Sequence, residues 1–102
     1  MRGQPPDGLF PEPAVIGRRL VATREAAGIS QAELCRRADI KPNAYNQWEK
    51  GHGRPSLEHA VRLVRALGIT LDWIYLGNLA GVPHGLALQI SERMSPGDSS
   101  SK

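Results

Sequence analysis

A chain of 102 residues that is 40% hydrophobic, 23% charged and 5% aromatic has the length of one compact domain and too much apolar content for a disordered chain, so a two-domain machine is excluded. Its single cysteine, Cys35, excludes an internal disulfide or a cysteine-built metal cluster; apolar runs such as 71–76 fall short of the roughly 20 residues that span a bilayer, and no basic-then-apolar signal opens the chain, so a cytoplasmic protein without a membrane partner is expected. The formal net charge of +3 is uneven: residues 15–55 hold eight basic against four acidic side chains, a local +4, which suits a polyanion partner, although a solvated helical surface gives the same count.

Residues 1–13 contain four prolines and two glycines without helical or strand period, and read as a loose arm. From there to residue 94 apolar positions recur at steps of three and four, which predicts an all-α domain. A first helix should start at Pro13 or Ala14 and end at Gly28, burying Ile16, Leu20 and Ala27. Ser30 followed by Glu33 forms a capping box for a second helix over 31–38. Asp39 tolerates the positive φ of a turn, and Pro42, with φ already set, opens a third helix that runs to Lys50 and stops at Gly51.

A fourth helix follows Ser56, with Leu57, Ala60, Val61, Val64 and Leu67 on one stripe and Gly68 at its end. Thr70 caps a fifth over 71–76, closed by Gly77. Pro83 opens a short sixth carrying Leu86, Ile90 and Met94. The Ser- and Gly-rich residues 95–102 should be disordered. The expected division is thus an arm at 1–13, a domain at 14–78, an extension at 79–94 and a tail at 95–102.

Two short helices joined by a tight turn describe a helix-turn-helix unit. Small residues Ala32, Cys35 and Ala38 permit close crossing, while Leu34, Ile40, Tyr45 and Trp48 provide bulk for the shared core. That leaves Asn43, Ala44, Asn46, Gln47 and Lys50 facing outward on the third helix. Asn and Gln can pair bidentately with adenine, and a short Ala lets the backbone approach a thymine methyl. A merely solvated polar face would also contain such residues.

The string ISQAELCRRADIKPNAYNQWEKG over 29–51 resembles the helix-turn-helix of the Cro/CI-type family of bacterial and phage repressors. Upstream, IGRRLVATREAAG is similar to the first helix of that family; downstream, GRPSLEHAVRLVRALGITLDWIYLG is similar to its fourth and fifth. The resemblance spans 14–78 and implies a compact five-helix lambda-repressor-like fold that binds a double-stranded DNA operator, as a repressor and as a homodimer at least on DNA. It implies base reading by Asn43, Ala44 and Gln47, and phosphate contacts by Gln31, Lys41, Asn46, Lys50, Arg54 and Ser56. It further implies a structural pair between Arg24 and Glu49. Three departures stand out: Asp39 replaces the usual turn glycine, Lys41 a capping Ser or Thr, and Pro42 a base-reading Gln of some relatives.

Nothing in the spacing of His52, His59 and His84 or of the carboxylates suggests an enzyme, a metal site or a cofactor. His52, between Gly51 and Gly53, reads as a solvent-facing loop residue, and Trp48 and Trp73 read as core anchors. The surviving alternative is a protein-binding module of the same fold, an antitoxin or adaptor. Its docking helix should expose aromatic or aliphatic anchors rather than Asn, Gln and Lys. The apolar residues beyond Gly77, namely Leu79, Val82, Leu86, Ile90 and Met94, exceed the needs of a five-helix core; they are expected either to pair two protomers or to pack back on the fourth and fifth helices.

Overall fold

A computed structural model describes residues 11–94. Most of the expected arm and all of the expected disordered tail lie outside the described residues. Among the described residues the protein is all-α: α1 (Pro13–Ala27), α2 (Gln31–Ala38), α3 (Pro42–Glu49), α4 (Leu57–Leu67), a π-helical turn (Asp72–Leu76) and α5 (His84–Met94). Ile16, Leu20, Leu34, Tyr45, Leu63, Ile74 and Ile90 are wholly buried, so every element contributes to one core.

Local chemistry sets the boundaries. α1 begins with a proline at its first turn and ends where Gly28 takes φ 75°, a left-handed conformation that glycine adopts without a Cβ penalty. Ser30 Oγ accepts the backbone N–H of Glu33 at 3.0 Å. The reciprocal half of the expected capping box is replaced: the Glu33 carboxylate is taken by Arg36 and Arg37, one turn further along the same helix. Ser56 caps α4 in the same way, accepting from His59 N at 3.2 Å.

The apolar stripes differ in detail from the sequence reading. On α1 Ala27 is exposed and Thr23 is wholly buried; its hydroxyl donates to the Arg19 carbonyl at 2.6 Å and accepts from Trp73 Nε1 at 2.8 Å, which satisfies a polar group inside the core. On α4 Ala60, Leu63 and Leu67 face inward at the helical period. Val61, one step off that stripe, is half-buried, and Leu57 in the first turn is 63% exposed.

The segment expected as a fifth helix winds as a π-turn. Thr70 Oγ1 accepts from Trp73 N at 3.0 Å, and the wide turn closes through Asn78 N donating to Asp72 O at 3.2 Å. This winding buries the adjacent residues Trp73 and Ile74 together.

The extension beyond Gly77 belongs to the same core. Val82 and Ile90 are buried in it, and Leu79, Leu86 and Met94, partly buried, pack against it. α5 lies against α1 rather than against the fourth helix and the turn that follows it. Of the two expectations for residues 79–94, packing back within the protomer is the one that holds for Val82 and Ile90, on α1 rather than on the fourth and fifth helices, while Leu88 stays exposed.

Candidate nucleic-acid interface

Helix α3 has two unlike faces. Tyr45 and Trp48 are buried, with their rings edge to face at 6.0 Å. Asn43, Gln47 and Lys50 are exposed, and positions i, i+4 and i+7 lie along one side of a helix. These three form a single polar stripe on the solvent side. Asn46 and Ala44 flank it half-buried; Ala44 packs partly against the core and borders a shallow groove with Lys41, His59 and Arg62.

The stripe is held from behind at the C-terminal end of α3. Arg24 on α1 donates through Nε to Glu49 Oε2 at 2.7 Å and through a terminal nitrogen to Oε1 at 3.2 Å, a bidentate pair. A third donation, to the Ile29 carbonyl at 3.0 Å, ties the same guanidinium to the α1–α2 junction. Gln31, first in α2, gives its amide to Glu49 Oε1 at 2.7 Å and more weakly to Asn46 Oδ1 at 3.4 Å. Glu49 is thus the joint of α1, α2 and α3.

Burial works to raise the Glu49 carboxyl. The Arg24 guanidinium, the neighbouring Tyr45 hydroxyl and the Gln31 amide overcome it and hold the group below the ordinary carboxylate value. Tyr45 Oη itself is buried without a partner in hydrogen-bonding geometry. Burial, then the nearby Glu49 charge, push the Cys35 thiol up, consistent with a small inert core residue.

Gly17 on α1 completes the seat. A Cβ there would meet the Trp48 carbonyl oxygen at 2.6 Å and that of Glu49 at 2.8 Å, so α1 and α3 approach backbone to backbone. The sequence reading missed this glycine, because a glycine inside a helical period carries no mark of what lies opposite.

The α2–α3 turn works without its usual glycine. Asp39 sits at φ 57°, and its carbonyl accepts from Arg62 on α4 at 2.6 Å. Lys41 precedes α3 with no side-chain cap. Lys41 and Lys50 are exposed and make no ion pair among the described residues.

Of the other basic residues of the 15–55 stretch, Arg18 is exposed and the rest are more committed. Arg19 lies over the Trp73 ring at 5.7 Å and donates to the Ile74 carbonyl at 2.9 Å; burial, then Arg18, lower its pKa. Arg54 is exposed and donates through Nε to the Pro11 carbonyl at 2.9 Å. Ser56 Oγ serves the α4 cap and also lies 2.9 Å from His59 Nδ1. His52 is exposed as expected, yet it is not idle: its Nδ1 stands 2.7 Å from Gln47 Oε1.

Among the described residues no helix is long and apolar enough to cross a membrane. No solved structure matches the chain. The multiprotein-bridging factor 1 of Eremothecium gossypii is 31% identical over 68 residues, covering 67% of this chain and 45% of that protein. The cryptic phage CTXphi transcriptional repressor RstR of Vibrio cholerae is 33% identical over 57 residues, 56% of this chain and 51% of the repressor. The multiprotein-bridging factor 1 of Candida albicans is 32% identical over 56 residues, 55% of this chain and 37% of that factor. The chain thus spans about half the length, or less, of these curated relatives. A helix-turn-helix family profile matches residues 20–74, more than half of the chain, and with the two-helix unit and its supports in place the protein belongs to the helix-turn-helix family, of the Cro/CI type that its sequence resembles.

Proposed function

We propose that the protein is a sequence-specific double-stranded DNA-binding transcriptional regulator that lays α3 in the major groove, and that it acts in the cytoplasm as a repressor and as a homodimer on its operator. The reading rests first on the exposed Asn43, Gln47 and Lys50 stripe of a helix whose opposite face is buried. The family and the likeness to a phage transcriptional repressor support it.

In this reading residues 14–78 carry the binding unit. Asn43 and Gln47 address base edges, and Ala44 allows close approach to a thymine methyl. Lys50 and Lys41 supply phosphate charge, with Asn46, Arg54 and Ser56 as flanking backbone contacts. Gln31 reaches a phosphate by exchanging its weaker bond to Asn46. Arg24 and Glu49 act structurally, by fixing the pose of α3. Docking of α3 on a protein is less well served, because the stripe offers no aromatic or aliphatic anchor.

Selection from a random duplex pool defines the preferred site, and titrations at fixed salt then test the reading. Gln47→Ala should cost about 1–3 kcal/mol on that site and much less on a scrambled duplex. Equal affinity of the unaltered protein for both duplexes at moderate salt would overturn it.

A further inference from the structure

The end of α3 is built so that one residue returns over another. Gly51 takes φ 81° and its N–H reaches the Trp48 carbonyl at 3.0 Å, while His52 N–H reaches the Gln47 carbonyl at 2.9 Å. This glycine-closed reversal sets His52 directly above Gln47. The side chains then meet as well, Nδ1 to Oε1 at 2.7 Å. An exposed glutamine ordinarily samples many rotamers, and its two amide ends can face a base in either sense. Here the backbone bond and the side-chain contact join the same two residues, with the oxygen turned to the imidazole and the NH2 group as the outer end; this is the sense that the Nδ1–H tautomer of His52 holds.

We infer that His52 is a specificity-determining residue: by donating Nδ1–H to Gln47 Oε1, it turns the Gln47 amide so that its NH2 donors lead, which favours a base edge carrying acceptors, guanine N7 and O6, over adenine. A free glutamine pairs with adenine by accepting from N6 and donating to N7 at once. The bond to His52 takes one of the two lone pairs of that oxygen and turns the carbonyl toward the imidazole, so the first of these bonds is disfavoured by orientation and the two N–H donors of the amide nitrogen are the end presented to the base. Guanine presents acceptors at both positions. The inference rests on the proposed DNA reading and adds the base class that this reading leaves open.

The test uses the full chain and duplexes that differ only at the base pair whose identity Gln47→Ala renders indifferent. The unaltered protein should prefer guanine there. His52→Ala should shift the guanine-over-adenine ratio toward adenine by roughly fivefold, the equilibrium value of one neutral hydrogen bond, with its melting temperature unchanged. His52→Asn, whose amide N–H replaces the Nδ1 donor, should retain the preference for guanine. In the free protein the Gln47 side-chain amide resonances should move in His52→Ala and not in His52→Asn.

Adenine preference in the unaltered protein, an unchanged ratio in His52→Ala, or an equal loss of affinity on every duplex would overturn the assignment while leaving DNA reading by α3 intact. Absence of any duplex preference in the unaltered protein would instead remove the functional reading, and this inference with it.

Discussion

Glu49 is where the three helices of the candidate interface meet, and its charge state governs the joint. Its carboxyl lies below the ordinary value of 4.5 in the folded chain. A lowered folded pKa means that the ionised group stabilises the fold above the unfolded value, and that this stabilisation is lost as the pH falls through the folded one. Glu49→Gln should therefore lower the melting temperature at pH 7, and the gap to the unaltered protein should close as the pH falls below about 4.5. Side-chain exposures of 16% for Arg24 and 6% for Glu49 place the pair close to buried. The loss should approach, without reaching, the roughly 3–5 kcal/mol of a fully buried pair, which at about 4–8 °C per kcal/mol is a shift of about 10 °C or more for a domain of this size. Glu33, held at about 2 by its bonds to Arg36 and Arg37, titrates alike in both proteins and cancels from the comparison. A pH-independent gap in thermal melts would show that the Glu49 charge contributes nothing. Gln47 and Asn43 were legible in the sequence because outward positions follow from helical period. His52 was not, because its bond to Gln47 depends on the reversal at Gly51.

At the scale of elements, the seat of α3 on α1 is the feature with the least slack. Helix propensity alone favours Gly17→Ala by about 1 kcal/mol. The new methyl, however, meets two backbone oxygens under 3.0 Å, and backbone atoms cannot turn aside as a flexible side chain can. Net destabilisation of about 1–3 kcal/mol is expected, the range for overpacking a close contact, read as a lower midpoint in urea with an unchanged slope. A variant as stable as the parent would show that α1 and α3 slide apart without penalty. Residual binding should be impaired on the preferred duplex more than on scrambled DNA, since the pose of α3 changes and its charge does not. Helices α1 to α4 were readable, α2 and α4 from their serine caps and α1 and α3 from a proline in the first turn and a glycine beyond the last. The π-turn was not, because over the six residues 71–76 the apolar pattern does not distinguish an α-helical winding from the wider one. The placement of α5 was half readable: Leu86, Ile90 and Met94 announced an apolar face, but the choice of α1 as its bed depends on how the earlier helices leave α1 exposed.

Over the whole molecule the basic excess is narrower than its count suggests. Arg19 and Arg24 serve the interior, and Arg36 and Arg37 share Glu33. Lys41 and Lys50 remain on the α3 side with no ion pair among the described residues. Lys50→Ala should thus reduce the slope of log K against log salt by about one; an unchanged slope would place Lys50 off the phosphates. A single eight-residue α3 reads only a few base pairs, whereas two copies roughly 34 Å apart read successive faces of the groove. Two protomers per site at saturation are expected in sedimentation, and one would rule out the homodimer. With Val82 and Ile90 packed inside the protomer, the surface for pairing has to be sought among the exposed large apolar side chains of the described residues, Leu57, Leu76 and, on the outer face of α5, Leu88.

Helix α1 supports α3 on one flank and α5 on another, so the last helix is connected to the first through a shared bed. If α5 peels away, Ile90 leaves its place and α1 loses the support that α5 gives it beneath α3. Amide hydrogens of α3 should then exchange with solvent in the same cooperative opening as those of α5, although the two segments are far apart along the chain.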